Sequence, residues 1–179
     1  MPSQEALTGR LTLAALNRME RARFTRALGA VFESSPWVAE RAWAARPFAS
    51  VDTLHRAMAD VVRRAPRETQ VALLRAHPDL AGKAAREGAM TASSVAEQSS
   101  AGLDRLSDEE SERFGRLNAA YRQTFGFPFI IAVRRHDKAG ILAAFERRLG
   151  HTAEEEVEAA LAEVFDITRM RLDALLSPA

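Results

Sequence analysis

His77 stands in the run Ala76-His77-Pro78-Asp79-Leu80-Ala81-Gly82-Lys83, where a ring that gives or takes a proton near neutral pH precedes a ring that stiffens the backbone. Proline disfavours helical dihedrals in the residue before it, so a helix reaching Ala76 should stop there and leave His77 at its C-terminal edge. A histidine mounted in this way has two uses: directed proton transfer, or capping of the last carbonyls in the favourable field of the helix dipole. A second cluster, Ser94-x-x-Glu97-Gln98, puts a hydroxyl, a carboxylate and an amide on one helix face at i, i+3 and i+4. The same spacing is that of a capping box with Ser94 as N-cap. With Thr91 as the cap instead, Ser94 falls inside the helix and the polar trio is released for other duties. The third cluster is Phe129-Ile130-Ile131-Ala132-Val133, an extended stretch with no evident strand to pair with. Its N–H and C=O groups need partners, since burying one unpaired costs about 1–3 kcal/mol. A small ureide or hydantoin, with alternating donors and acceptors, is one such partner; waters or loops are the other.

Other chemistries find little support. The chain has no cysteine, which excludes disulfides and thiolates. Its histidines, His55, His77, His136 and His151, form no His-x-x-x-His pair, so no metal is expected. There is neither a Gly-rich phosphate loop nor a Gly-x-Ser-x-Gly elbow. Twenty-five basic residues against 24 acidic ones leave a formal charge of +1, too small a field to favour nucleic acid or an anionic membrane. The pairs Arg63-Arg64 and Arg147-Arg148 are expected on solvated helix faces. Met1 to Arg10 lacks a secretory pattern, no apolar window is long enough to span a bilayer, and Ser177-Pro178-Ala179 is not a peroxisomal address. A soluble, cytoplasmic protein is expected.

The elements that must position these clusters read as helices. Thr12 caps a short helix with Leu13, Leu16 and Met19; Glu20 to Glu33 continues helically with Phe24, Leu28, Val31 and Phe32 on one side. Ser35-Pro36-Trp37 opens another, serine as cap and proline at the first position, running from Val38 to Ala45, with Trp37 and Trp43 as core or interface anchors. Arg46-Pro47 interrupts, and Ser50 or Asp52 caps a helix through Leu54, Met58, Val61 and Val62. Pro66 begins the helix that leads through Val71, Leu73 and Leu74 to His77, after which Pro78 to Gly88 is irregular. Helices follow over about Thr91 to Leu103, from Ser107 to Phe125 with Phe114, Leu117 and Tyr121 inward, over Lys138 to Leu149, and from Glu154 to about Leu176. Only Gly126 to Val133 breaks this background, because proline, aromatic and β-branched residues favour an extended chain. At 179 residues with no repeat or linker, a single all-α domain over 1–179 is expected, a multi-helix bundle with one extended segment.

Four blocks, FESSPWVAERA, AHPDLAGK, SVAEQSSAGLD and FGFPFIIAVR, resemble in order and separation those of the 2-oxo-4-hydroxy-4-carboxy-5-ureidoimidazoline (OHCU) decarboxylases, which complete the oxidation of urate to allantoin. The resemblance implies that His77 is the catalytic histidine and Pro78 its neighbouring substrate contact. It implies further that Ser94, Glu97 and Gln98 form the substrate-binding trio, and that Phe129, Ile130, Ile131, Ala132 and Val133 bind through backbone. Glu97 is assigned with His77 to proton handling, and Arg134 to a substrate carboxylate or to the surface. The family is all-helical, cofactor-free and frequently dimeric, so a homodimer with a small-molecule substrate, no cofactor and no nucleic-acid or membrane partner is implied. The substrate's own C=N accepts the electron pair left by carbon dioxide. The competing expectation is a non-catalytic helical domain that binds a ureide or purine catabolite; a nucleic-acid module would need a contiguous basic face.

Overall fold

The computed structural model describes residues 11–82 and 88–176. Lys83, part of the irregular stretch after Pro78, and the two chain ends read above lie outside the described residues. Among the described residues the chain forms nine α-helices and two short 3-10 turns, and its only β pairing is an isolated bridge between Leu11 and Leu176. The fold is all-α, as the periodicity predicted. Two compact units are formed, one by 1–64 with 168–179 and the other by 65–167.

The first unit holds α1 (Leu13–Arg18), α2 (Arg21–Leu28), α3 (Trp37–Ala42) and α4 (Val51–Arg63). Thr12 caps α1 and Ser50 caps α4, the latter in a reciprocal box with Thr53. Asn17 bonds both backbone groups of Phe48, at 2.9 and 2.8 Å, and Trp43 Nε1 donates to the Met19 carbonyl at 3.0 Å. The helix expected to continue to Glu33 ends at Leu28. A side chain at Gly29, where the chain leaves the helix, would have its Cβ 2.6 Å from the Thr25 carbonyl and 3.2 Å from Pro36, so only glycine fits at this turn. Val31 and Phe32 are nonetheless buried, which is why the apolar spacing runs on past the end of the helix. The Ser35 hydroxyl donates to the Glu33 carbonyl instead of capping α3.

The second unit holds α5 (Arg67–Arg75), α6 (Ala92–Ser100), α7 (Asp108–Phe125), α8 (Lys138–Arg148) and the part of α9 (Ala153–Leu175) up to Ile167. Ser107 and Glu110 close a capping box at the start of α7, and Gly126 ends it at φ 77°. Helix α6 ends in a Schellman turn: Leu103 N–H bonds the Gln98 carbonyl and Gly102 N–H the Ser99 carbonyl, with Gly102 at φ 74°. On the inner face of α7, Phe114, Asn118 and Tyr121 are the buried residues; Leu117, expected there, is only half-buried. The unit's aromatic core joins Tyr121 to Phe127, Phe129 and Phe145 in edge-to-face pairs.

Candidate active site

Helix α5 ends at Arg75, and the His77 N–H bonds the Leu74 carbonyl at 3.2 Å, so the ring sits on the last turn where Pro78 was expected to leave it. The ring is buried, and its Nδ1 lies 3.0 Å from the Leu73 carbonyl oxygen. A carbonyl can only accept, so Nδ1 carries the hydrogen and the neutral ring keeps its lone pair on Nε2. The histidine thus caps the end of α5 through Nδ1.

The loop beyond His77 is held from two helices. Gln98 of α6 accepts from the Ala81 N–H at 2.9 Å through Oε1 and donates to the Asp79 carbonyl at 3.1 Å through Nε2. From α7, Asn118 Nδ2 donates to the Leu80 carbonyl at 2.8 Å, and Arg122 Nε donates to Asp79 Oδ1 at 2.8 Å. These ties hold Ala81 at φ 51°, a left-handed conformation that alanine rarely adopts. A side chain at Gly82 would place its Cβ 2.7 Å from that of Asp79.

Thr91 is the N-cap of α6, its hydroxyl accepting from the Ser94 N–H, so Ser94 stands inside the helix and the capping-box alternative falls away. Ser94 is buried, and its Oγ accepts from Thr91 Oγ1 at 3.1 Å. Glu97 is partly exposed one turn further on. Gln98 is buried and its amide is given over to the 79–81 loop, with Met90 Sδ as a further acceptor at 3.3 Å. Helix α6 also packs against the 3-10 turn Val133–Arg135 that closes the extended segment. The three clusters read from sequence thus meet on one helix: Gln98 binds the His77 loop, and the far end of the extended segment rests on the same α6.

Phe129 to Val133 are all buried. Their hydrogen-bond ledger is partly closed by side chains: Arg148 Nη1 donates to the Ile130 carbonyl at 2.6 Å, and the Ala132 N–H donates to Glu163 Oε2 at 2.8 Å. The Ala132 and Val133 carbonyls accept from Arg135 and His136. Among the described residues, the N–H groups of Phe129, Ile130, Ile131 and Val133 and the carbonyls of Phe129 and Ile131 have no hydrogen-bond partner. Arg134 is exposed and makes no ion pair among the described residues.

Arg148 corrects the expectation that it lies on a solvated face. It is buried, paired with Glu156 at 2.5 Å, and its guanidinium lies 4.4 Å from the centre of the Phe129 ring. Glu156 is fully buried and also takes bonds from Tyr121 at 2.5 Å and His151 at 2.9 Å. Burial, then the bond to this carboxylate, raise the Tyr121 phenol well above its ordinary range, so it remains a neutral donor. Sequence reasoning missed Asn118, Arg122, Arg148, Glu156 and Glu163. Asn118 gave a signal, a polar residue in step with Phe114 and Tyr121. Glu156 gave none, because Glu154-Glu155-Glu156 reads as an ordinary acidic first turn.

A cavity of about 410 Å³ lies beside α6, lined by Ala81, Met90, Val95, Gln98, Ser99 and Leu103 among others. It shares only Gln98 with the residues discussed above as candidate site groups. Among the described residues no group of three or more His, Cys, Asp and Glu side chains is placed to hold a metal ion.

An all-helical chain that mounts a buried imidazole on the last turn of a helix, its Nδ1 fixed by the Leu73 carbonyl, is the framework on which the comparisons with known proteins bear. The family model of OHCU decarboxylase matches residues 17–173, and the chain belongs to that family. It is 49% identical over 162 residues to the 2-oxo-4-hydroxy-4-carboxy-5-ureidoimidazoline decarboxylase of Haloferax volcanii, covering 90% of this chain and 94% of the relative. The enzyme of the same name from Halalkalicoccus jeotgali is 46% identical, covering 94% of each. Among solved structures, that of an (S)-allantoin synthase superposes with a TM-score of 0.72 at 34% identity over 93% of this chain; the chain spans 54% of that protein's length.

Proposed function

We propose that this decarboxylase acts on 2-oxo-4-hydroxy-4-carboxy-5-ureidoimidazoline and releases carbon dioxide and (S)-allantoin. The bond from the ring carbon to the carboxylate breaks, and its electron pair forms a double bond to the neighbouring carbon. The C=N π pair of that neighbour moves onto nitrogen, which takes a proton. Delivery of a proton to the ureido-bearing carbon, as the adjacent hydroxyl gives up its own and becomes a carbonyl, yields allantoin. The net change consumes one proton, and a fixed donor on one face selects one enantiomer.

His77 handles that proton through Nε2, and Glu97 pairs with the imidazole or the substrate and favours the protonated ring. Ser94 and the open amides of Ile131 and Val133 meet the ureido and ring oxygens, within the stretch Phe129–Val133. The Oε1 of Gln98 keeps one lone pair after serving Ala81. Pro78 bounds the site, and the exposed guanidinium of Arg134 meets the departing carboxylate. The reading also takes the enzyme to be a cofactor-free, cytoplasmic homodimer without nucleic-acid or membrane partners. Support for the dimer and for cofactor-free chemistry is the family likeness; the balanced charge gives no field to draw nucleic acid or an anionic membrane, and no helix among the described residues is long and apolar enough to cross a membrane.

The observation that carries the reading is the bond from His77 Nδ1 to the Leu73 carbonyl, because it dictates which nitrogen exchanges protons. The test generates substrate in place by urate oxidation and hydrolysis, then follows its ultraviolet absorbance and the optical activity of the allantoin formed. His77→Asn should lower turnover by about 10²–10⁴-fold with native helicity. Near-full turnover in a folded variant would reject His77 as the acid–base group.

A further inference from the structure

The Arg148–Glu156 pair does more than fill a core. A buried ion pair is a poor stabilising device, since apolar residues of similar volume generally do as well or better. Here, however, each partner is engaged beyond the pair. Glu156 also receives Tyr121 and His151, on its two different oxygens. Arg148 donates to Glu156 Oε1 through Nε, with Nη2 in ion-pair contact with the same oxygen, and turns Nη1 onto the Ile130 carbonyl at 2.6 Å, while its plane covers Phe129. A guanidinium is planar and rigid, so one anchored through Nε and laid against a ring has the direction of Nη1 set by geometry. The carbonyl it grips belongs to the peptide whose nitrogen is that of Ile131. Fixing the oxygen fixes the plane of that peptide, and with it the direction of the open Ile131 N–H.

We infer that Arg148, held by Glu156, Tyr121 and His151, is a positioning residue of this enzyme: it orients the Ile130–Ile131 peptide so that the Ile131 amide is presented to the substrate. This rests on the reading of Phe129–Val133 as a substrate-binding stretch. Glu163 acts one peptide further on, receiving the Ala132 N–H from α9, so the open amides of Ile131 and Val133 alternate with a group that is already satisfied.

The test uses the full-length enzyme carrying Arg148→Met together with Glu156→Leu, which removes both charges and leaves neither buried alone. Two readouts are taken: kcat and KM with substrate generated in place, and the 15N–1H shifts of Ile131 and Val133 on titration with (S)-allantoin. The double variant should melt within a few degrees of wild type, and lose about 10- to 100-fold in kcat/KM and in allantoin affinity, the loss of one charge-assisted bond. The allantoin-induced shift of Ile131 should disappear. Arg148→Lys, which keeps the charge opposite Glu156 but lacks the fork, should fall between the two, and it decides the matter if the double variant does not fold. Unchanged constants and an unchanged Ile131 shift in a folded variant overturn the proposal. If the wild-type amides do not respond to (S)-allantoin although the enzyme turns over, the substrate-binding reading of the segment fails, and this inference falls with it.

Discussion

Replacing Gln98 by leucine tests whether its amide serves the substrate or the loop that carries His77. The substitution keeps volume and helix propensity but removes the acceptor for the Ala81 N–H and the donor to the Asp79 carbonyl, at 2.9 and 3.1 Å. At about 0.5–1.5 kcal/mol for each such bond, the closed loop loses about 1–3 kcal/mol. Since about 1.4 kcal/mol is a factor of ten, the open population of the loop rises roughly 5- to 150-fold. Amide hydrogen exchange at Ala81 should accelerate by that factor, while exchange in the middle of α7 stays near its wild-type rate. Because His77 stands four residues before Ala81, the loss should fall on kcat rather than KM, as a misplaced acid–base group slows chemistry more than it weakens binding. Gln98→Glu separates the two bonds: its carboxylate still accepts from Ala81 but faces the Asp79 carbonyl with like polarity, so part of the loosening should persist. Unchanged Ala81 exchange together with unchanged kcat in folded Gln98→Leu would refute the positioning argument, and a rise in KM alone would return Gln98 to a direct substrate contact.

Other consequences are open to measurement. Tyr121 is the chain's sole tyrosine, and its folded pKa is raised above the ordinary 10.0. The stability it contributes is therefore complete below pH 10.0 and is lost as pH climbs from there toward the folded value. The loss is at most about 1.4 kcal/mol per pH unit, and urea midpoints at about pH 9 and about pH 11 should show it in wild type but not in Tyr121→Phe. Gly82→Ala should cost about 1–3 kcal/mol and depress turnover, because the new Cβ meets that of Asp79 on the His77 loop; wild-type melting and turnover would contradict this. Ser107→Ala, which opens the capping box of α7, should lower stability by about 1 kcal/mol and leave turnover alone.

What the sequence made legible was written in local chemistry. Pro78 stops α5 beside His77, Thr91 takes the cap and leaves Ser94 inside α6, and Ser107 with Glu110 starts α7, each through bonds that span three or four residues. The Gly126–Val133 break was visible for the same reason. The partners of that break were not. Arg148 reaches Ile130 across 18 positions and Glu163 reaches Ala132 across 31, and nothing in a helical pattern distinguishes a charged residue that will be buried from one that will be solvated. Val31 and Phe32 misled in the opposite sense, being buried at helical spacing beyond the turn at Gly29. The amide of Gln98 could be placed on the correct face from its spacing, yet its engagement with Asp79 and Ala81 depends on how the loop returns to α6.

The most direct measurement is the 15N spectrum of His77 across its titration in the intact enzyme. With Nδ1 bound to the Leu73 carbonyl, Nδ1 should keep a proton-bearing shift throughout, while Nε2 moves to a lone-pair shift at high pH and follows the same midpoint as turnover. A neutral ring carrying its hydrogen on Nε2, or a titration that leaves turnover unaffected, would contradict the account.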